Sequence, residues 1–247
     1  MIDTHAHLTS LEDTDEVIRR AAEAGVTRIL TVGTNVGDCR RALSLADRRD
    51  GVFAILGIHP HDAGAATEDH LAALRELLAH PKAVAVGETG LDWFRDYAPP
   101  DDQRRLFAAE LELAAELGKP VVIHTRAADD DTLAALAGHA GTVVLHCFSS
   151  AHMLPTALER GWYVSFAGNA TFPKAVDLRL AATQVPAERI LAETDSPYLA
   201  PQPVRGKQNE PANVVHTLAV LAQARAQEPA ELERQIERNA AECFSLP

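Results

Sequence analysis

The sequence predicts an α/β protein, specifically a (β/α)8 TIM barrel with its active site at the carboxyl ends of the strands. Eight strand-like apolar runs recur along the 247 residues. Most are separated by segments rich in Ala, Leu, Glu and Arg that have helical periodicity, and this alternation is typical of a closed parallel barrel. Histidine and acidic residues close several runs, which is where barrel enzymes carry their reactive groups. We therefore expect one barrel domain over residues 1–247, with an open doubly wound sheet as the structural alternative.

The predicted elements follow one another without a long linker. The strands are predicted at residues 1–7, 28–34, 52–59, 83–88, 120–126, 141–148, 161–166 and 190–195. Helical spacing is clearest at 15–24 and 103–117, and Gly25 and Gly118 stand where they would end these two helices. Residues 196–211 are rich in Pro, Gly and polar side chains, so they are predicted to form a long loop on the working face of the barrel.

The composition is typical of a globular protein outside the secreted and membrane classes. No apolar run approaches the roughly 20 residues that span a bilayer, and the first residues resemble a strand more than a signal peptide. Cys39, Cys147 and Cys243 are too few and too far apart for a disulfide framework or a thiolate zinc site. The formal net charge of −12 argues against broad neutralisation of nucleic-acid phosphates. We expect an unprocessed, cytoplasmic protein.

The opening segment MIDTHAHL contains three polar side chains at alternate positions. Asp3, His5 and His7 would line one face of an extended strand, which is unusually polar for a buried strand. Other apolar runs also end in ionisable residues, namely His59, Glu88, His124, His146 and Asp195. A single such histidine is more often a hydrogen-bonded core residue, but so many at equivalent strand ends indicate one site. Imidazole and carboxylate together suit two divalent ions that activate water, so the pattern predicts hydrolysis.

A set of short motifs in a fixed order carries a resemblance to a known family. The segments DTHAHL, GIHP, GETGLDW, VVIHTR, HCFS, ETDSPYLAP and RGKQNEP resemble those of the TatD-type metal-dependent deoxyribonucleases, which belong to the amidohydrolase-like barrel superfamily. The motifs run from Asp3 to Pro211 and so cover most of the chain. The resemblance implies a (β/α)8 barrel, two divalent metals and hydrolysis of phosphodiesters, usually by trimming DNA from a 3′ end.

The resemblance also implies a role for each residue that matches the family pattern. His5 and His7 would bind one metal, and His124 and His146 the other. Glu88 would bridge the two metals, where much of the wider superfamily uses a carboxylated lysine. Asp195 would bind metal and accept a proton from the attacking water, so Asp195 and Glu88 are the predicted catalytic residues. Mixed nitrogen and oxygen ligands accept Zn, Mn or Mg, so the metal is not readable from the sequence.

Neighbouring residues are predicted to support this site. Asp3, Asp92 and Glu193 are candidates for orienting a metal ligand or a loop, with a structural hydrogen bond as the alternative. Four further side chains are candidates for binding substrate phosphate, namely His59, Arg126, Arg205 and Lys207. Guanidinium groups match phosphate oxygens bidentately, whereas ordinary surface cations are merely solvated.

Three aromatic residues have two alternative roles, and one cysteine is excluded from the site. Trp93, Phe94 and Tyr97 could stack on a base, and packing against their own loop is the alternative. Cys147 follows His146 directly and is expected to point away from the metals, because side chains alternate along a strand.

We therefore expect a divalent-metal-dependent 3′–5′ exodeoxyribonuclease that acts on single-stranded DNA or frayed 3′ ends. The acidic composition favours an exonuclease, because gripping a terminus needs little basic surface. The alternative enzyme is a metal-dependent esterase or deacylase acting on aminoacyl-tRNA or small esters. A non-catalytic scaffold with the same fold would be expected to lack at least one ligand, and none is missing here. Neither a membrane nor an obligate protein partner is implied.

Overall fold

A computed structural model describes residues 1–247, and its central feature is a sheet of eight strands arranged in chain order. The strands are β1 Ile2–Ala6, β2 Arg28–Gly33, β3 Val52–Leu56, β4 Ala83–Asp92, β5 Val121–Arg126, β6 Val143–Leu145, β7 Tyr163–Phe166 and β8 Ile190–Ala192. The pairs β1–β2, β3–β4, β4–β5, β5–β6 and β7–β8 are parallel. Their side chains are almost all buried, as expected of parallel strands covered by helices.

Helices alternate with these strands. They are α1 Thr14–Glu23, α2 Val36–Asp47, α3 Glu68–Leu78, α4 Pro100–Leu117, α5 Asp129–Leu136, α6 Leu154–Glu159, α7 Val176–Gln184, α8 Val214–Ala224 and α9 Pro229–Phe244. The two clearest predicted helices correspond to α1 and α4, and both are followed by a glycine with positive φ, Gly25 (+84°) and Gly118 (+62°). None of the helices has both the length and the apolar character that crossing a bilayer requires.

The last strand lies beside the first, which distinguishes a barrel from an open sheet. The amide of Asp195 donates to the carbonyl of His5 at 2.9 Å, and the amide of His7 donates to the carbonyl of Ser196 at 2.7 Å. Ala6 and Ser196 also form a parallel β-bridge. The fold is therefore the predicted (β/α)8 barrel, and the open doubly wound alternative is wrong.

Several strands end at different residues from those predicted. β3, β6 and β8 stop before His59, His146 and Asp195, so these three residues lie in the loops that follow the strands. β4 instead continues to Asp92, pairing with β5 after a register shift between Gly87 and Thr89.

Gly90 has a specific role in this extension of β4. A Cβ atom at this position would lie 1.9 Å from the carbonyl oxygen of His124, so only glycine permits the close approach of the two strands. The register that brings Glu88 and His124 together therefore depends on a residue without a side chain.

Internal contacts divide the residues into two compact units, one comprising 1–31 and 146–247 and the other comprising 32–145. The single domain expected over 1–247 stays a prediction. Each unit carries part of the candidate residue set, and we describe the two parts separately. The β1–β8 group consists of Asp3, His5, His7, His146, Glu193 and Asp195. The β3–β5 group consists of His59, His61, Glu88, Asp92 and His124.

Candidate metal-binding and catalytic residues

Four predicted ligands of the β1–β8 group lie close together, namely His5, His7, His146 and Asp195. The imidazole of His5 stacks on that of His146 with ring centroids 3.9 Å apart, and His7 meets His5 edge-on at 5.1 Å. His7 Nε2 lies 3.4 Å from Asp195 Oδ1. One donor atom from each of His5, His146 and Asp195 lies within 4.8 Å of the other two. Two imidazoles and a carboxylate at this spacing are a suitable donor set for a first-row divalent ion.

Glu193 holds His146 in a fixed orientation. Its Oε1 lies 2.9 Å from His146 Nδ1 and also accepts the amide of Cys147 at 2.8 Å, while its Oε2 accepts the hydroxyl of Ser165. Glu193 is only 1% exposed, so these bonds are shielded from water. A carboxylate on one ring nitrogen leaves the other nitrogen, Nε2, to serve as a ligand, which is the usual arrangement around metal-binding histidines. This contact supports the predicted positioning role of Glu193.

Asp3 acts on the main chain rather than on a ligand imidazole. Its carboxyl accepts the hydroxyl of Thr194 at 2.6 Å, the amide of Thr194 at 2.9 Å and the amide of His5 at 3.3 Å. Complete burial raises the pKa of Asp3 to about 8, although these hydrogen bonds oppose the shift. Asp3 thus ties the segment before Asp195 to β1 through backbone groups.

Asp195 has a strained backbone and a carboxylate suited to stay ionised. Its φ of +55° is in the left-handed region, which non-glycine residues rarely adopt. Burial alone would raise its pKa, but the hydrogen bond from His7 and the charges of His146, His7 and His5 lower it instead. An ionised carboxylate can accept a proton, as the predicted general base requires.

Asn209 is a supporting residue that the sequence analysis missed. It is fully buried, and its Nδ2 donates to the carbonyls of Thr194 at 2.9 Å and Tyr198 at 2.7 Å. Its Oδ1 accepts the amide of Glu210 at 3.0 Å. These bonds brace the turn that contains Asp195. Its signal in the sequence is the motif RGKQNEP, in which Asn209 follows the two predicted phosphate-binding cations.

In the β3–β5 group, His124 stands between two carboxylates. Its Nδ1 lies 2.7 Å from Glu88 Oε1, and its Nε2 lies 3.2 Å from Asp92 Oδ2. The same Asp92 oxygen lies 2.8 Å from His61 Nε2. Burial would raise the pKa of Asp92, but hydrogen bonds from His124 and His61 hold it well below its ordinary value. The imidazole of His124 is thereby fixed in orientation. That Asp92 orients a metal ligand stays a prediction.

The contacts of His59 favour a hydrogen-bond donor over a metal ligand. Donor atoms of His59, His61 and His124 lie within 4.8 Å of one another, a spacing compatible with an ion. However, His59 Nδ1 accepts the amide of His61 at 3.1 Å, and burial lowers the pKa of His59. A neutral ring that accepts at Nδ1 carries its proton on Nε2, which lies 3.5 Å from Glu88 Oε1. This Nε2–H group suits the predicted contact with a substrate phosphate.

Glu110, on α4, is a second residue that the sequence analysis missed. Its carboxyl is completely buried, accepts the amide of Ile58 at 2.7 Å and accepts the hydroxyl of Thr89 at 2.5 Å. Ile58 precedes His59 and Thr89 follows Glu88, so Glu110 joins the two segments that carry these side chains. Burial raises the pKa of Glu110 to about 8. A glutamate at helical spacing among leucines is indistinguishable from part of an ordinary amphipathic pattern in the sequence.

The three predicted phosphate-binding cations are exposed to solvent. The Arg126 guanidinium lies 4.0 Å from the ring centroid of Phe94, and that of Arg205 lies 4.0 Å from the ring centroid of Phe172. Lys207 is exposed within the loop after β8. All three are accessible to an anion, and their binding of phosphate stays a prediction.

The structure gives contacts or backbone geometry for two other residues that the sequence analysis named. Trp93 donates its indole N–H to Asp131 at 2.8 Å and carries the guanidinium of Arg104 over its ring at 5.0 Å, which favours the structural alternative for this residue. Cys147 follows the end of β6 and has a φ of +45°, so the alternation of side chains along a strand does not decide its direction.

Comparison with known proteins agrees with this geometry. The model of the TatD related DNase family matches residues 2–245. A relative from Mycobacterium tuberculosis, named an uncharacterized metal-dependent hydrolase TatD, is 40% identical over 100% of this chain and 98% of its own length. The 3′-5′ ssDNA/RNA exonuclease TatD of Erwinia billingiae is 39% identical over 100% of both chains.

A solved structure is similar over the same extent. YJJV, a TatD homologue from Escherichia coli, has a TM-score of 0.95 and 30% sequence identity, and the match covers 100% of this chain and 98% of that one. Sequence and fold therefore agree across the whole chain. The chain belongs to the TatD-related DNase family of metal-dependent hydrolases, as the ordered motifs indicated.

Proposed function

We propose that this hydrolase cleaves phosphodiester bonds and removes nucleotides from the 3′ ends of single-stranded DNA. The main supporting observation is the donor set of His5, His146 and Asp195, within which Glu193 holds His146 in a ligand-ready orientation. The name of the Erwinia billingiae relative, a 3′-5′ ssDNA/RNA exonuclease, supports a nucleic-acid substrate. The acidic net charge of −12 favours a confined grip on a strand end over tracking along a duplex.

We further propose that two divalent ions bind, with the ligands that the family resemblance assigns. His5 and His7 would hold one ion and His124 and His146 the other, with Glu88 as the bridging carboxylate and Asp195 as an additional ligand. The chemistry of these side chains fits Zn, Mn or Mg, since all of them offer imidazole nitrogen or carboxylate oxygen. Bound ions of this kind would supply Lewis-acid activation of water and of a phosphoryl oxygen.

Four residues then have distinct tasks in the proposed reaction. Asp195 accepts the proton of the attacking water, because its carboxylate stays ionised despite burial. Glu193 and Asp92 keep the ligand rings of His146 and His124 oriented. His59 offers an Nε2–H group to a phosphoryl oxygen.

The exposed cations complete the proposed binding of substrate. Arg126, Arg205 and Lys207 bind the phosphates that flank the scissile bond. They supply local positive charge in an acidic chain, and their contribution is expected to weaken with salt.

The decisive experiment combines metal analysis with end-specific digestion. Purified protein is assayed for bound metal, then incubated with Mg²⁺ or Mn²⁺ and a 5′-labelled single-stranded DNA whose 3′ end is either free or blocked. We expect stepwise shortening of the free end and strong inhibition by the block. Equal digestion of both substrates would reject the exonuclease assignment, and no cleavage of either would reject the phosphodiesterase assignment.

Further substrates define the limits of the proposal. RNA of the same sequence tests the sugar preference, and aminoacyl-tRNA with simple esters tests acyl hydrolysis, compared by kcat/KM. If kcat/KM is highest for aminoacyl-tRNA or simple esters, the protein is the metal-dependent esterase or deacylase that the sequence leaves as the alternative. The cytoplasmic location and the lack of an obligate protein partner remain predictions from the sequence.

A further inference from the structure

We infer that Phe94 and Tyr97, together with Arg126, form a stacking subsite for an unpaired nucleobase of the substrate strand. We call these three residues the aromatic subsite. The inference rests on the proposed function and adds the part of the substrate that the protein recognises next to the scissile phosphate. The occupant to which it commits is a nucleotide of a single strand.

The first observation is exposure of large apolar rings. Phe94 is 59% exposed and Tyr97 is 64% exposed, in a loop directly after β4. Only 5% of the chain is aromatic, and most other rings are buried or half-buried. An exposed ring is a poor contributor to folding, because it keeps its apolar surface in water. Its exposed surface suits a base, since every base has an aromatic face and stacks without requiring a particular sequence.

The second observation is the placement of cations on the same rings. The Arg126 guanidinium lies 4.0 Å from the ring centroid of Phe94, and that of Arg95 lies 5.3 Å from Phe94 and 6.0 Å from Tyr97. An aromatic ring next to arginine pairs a stacking surface with a partner for phosphate. An apolar peptide would use the rings and gain nothing from the two guanidinium groups, so charge complementarity favours a nucleic-acid strand.

The third observation is a direct connection between the loop and the candidate site. Asp92 Oδ1 accepts the amides of Phe94 and Arg95, each at 2.9 Å, while Asp92 Oδ2 contacts His61 and His124. Tyr97 meets His61 edge-on, with ring centroids 4.7 Å apart. One carboxylate therefore fixes both the start of the exposed loop and a predicted metal ligand. A base stacked on these rings would place its phosphate within reach of that ligand.

The test measures binding by the metal-loaded wild-type chain without cleavage. The probe is a fluorescein-labelled dT8 with phosphorothioate linkages that resist cleavage, followed by fluorescence anisotropy. A second probe has the same backbone with abasic residues throughout. We expect F94A/Y97A to raise Kd about tenfold or more for dT8 and less than twofold for the abasic strand, because only the base is lost as a partner. The single variant F94Y, which keeps an aromatic ring at this position, should retain most of the wild-type affinity for dT8.

Two further variants separate stacking from charge and from general surface effects. R126A should weaken both probes alike and reduce the salt dependence of binding by about one phosphate contact. L180A is the matched control, because Leu180 on α7 is also exposed (54%) and apolar, and its Kd should match the wild type. A Kd for F94A/Y97A equal to that of the wild type, an equal loss on the abasic strand, or no binding of dT8 by the wild type would overturn the inference.

Failure of the inference and failure of the proposed function give different results. If the variants bind dT8 as the wild type does while 3′-end digestion proceeds, the aromatic subsite is wrong and the exonuclease assignment stands. If base-dependent binding is lost in F94A/Y97A while the wild type digests no DNA, the subsite stands and the proposed reaction is wrong.

Discussion

The β1–β8 group and the β3–β5 group contain similar side chains in different surroundings. Asp3 and His5 are completely buried and Glu193 is 1% exposed, whereas His59, His61 and His124 are only half-buried. The carboxyls of the first group bond to backbone amides and hydroxyls of neighbouring strands. In the second group, Asp92 bonds to the amides of an exposed loop that carries Phe94 and Tyr97.

This difference indicates a division of labour. Buried carboxyls that are held by several hydrogen bonds lose little orientation to thermal motion, so Asp3 and Glu193 suit the β1–β8 group to hold ligands in place. The three half-buried imidazoles of the β3–β5 group are partly open to solvent, and Asp92 connects them to an exposed loop, so this group is suited to receive the substrate. The following variants test this comparison, from the largest expected effect to the smallest.

The largest effect on activity is expected for Asp195→Asn in the β1–β8 group. It removes the ionised carboxylate that is to accept a proton and to bind metal, so kcat on single-stranded DNA should fall by about 10³-fold or more. Unfolding in EDTA should change little. Asp101→Asn, which alters a fully exposed carboxylate, is the matched control. An Asp195→Asn enzyme with more than a tenth of wild-type kcat would remove Asp195 from the proposed reaction.

A smaller effect is expected for Glu193→Gln. The amide keeps the size of the side chain but loses the charge that His146 Nδ1 faces, so metal affinity should fall by about 10- to 100-fold. Equilibrium dialysis followed by metal analysis measures this directly. Activity should return at saturating metal, which a defect in folding would not allow. Unchanged affinity would show that the contact holds the strands together and does not tune the ligand.

Glu110 tests whether the β3–β5 group also depends on hydrogen bonds to a buried side chain. Glu110→Ala leaves the amide of Ile58 and the hydroxyl of Thr89 without their acceptor, which should lower the free energy of unfolding by about 1–3 kcal/mol. Glu110→Gln keeps an acceptor and should lose much less. Urea unfolding of the two variants gives the comparison, and equal losses would contradict the assigned hydrogen bonds.

The raised pKa of Glu110 also predicts how the stability of the wild-type chain depends on pH. The pKa of Glu110 is about 8 in the folded chain, against an ordinary value of 4.5. The folded state therefore keeps a proton that the unfolded state has lost, so its stability falls as pH rises from about 4.5 to about 8. The slope from this group is at most about 1.4 kcal/mol per pH unit. Glu110→Gln should flatten the stability profile in that window, and a profile parallel to wild type would exclude this titration.

The smallest effect is expected for a partly exposed ion pair near the β1–β8 group, between Arg20 and Glu210. Arg20 on α1 donates to Glu210 at 2.5–3.2 Å, at the end of the loop that follows Asp195. Both side chains are partly exposed, so Arg20→Ala should cost about 1 kcal/mol or less. Asn209→Ala, which removes buried bonds in the same loop, should cost more and lower kcat. A larger loss for Arg20→Ala than for Asn209→Ala, measured by thermal unfolding and activity, would reverse this order.

Most of the barrel and its polar strand ends were predictable from the chain alone. Eight apolar runs, the helical spacing of 103–117 and the glycine stops at Gly25 and Gly118 are local features, and each was confirmed as an element. The motifs, from DTHAHL to RGKQNEP, were sufficient for the family, which the comparison confirmed. These signals are readable because burial periodicity and turn chemistry act over only a few residues.

Exact strand ends and supporting contacts required the tertiary structure. The long β4 depends on a register shift against β5, and the left-handed backbone of Asp195 depends on hydrogen bonds to His5 and on the bracing by Asn209. The role of Glu110 depends on two segments that lie 52 and 21 residues away in the chain.

The sequence by itself determined the fold class, the family and the types of residue that the site offers. Only the tertiary structure decided which nitrogen of His59 accepts the amide of His61, which carboxylates hold His124 and His146, and which aromatic rings stay exposed. The physical reason is that composition and periodicity reflect local preferences, whereas hydrogen-bond partners and burial are set by residues that meet only after folding.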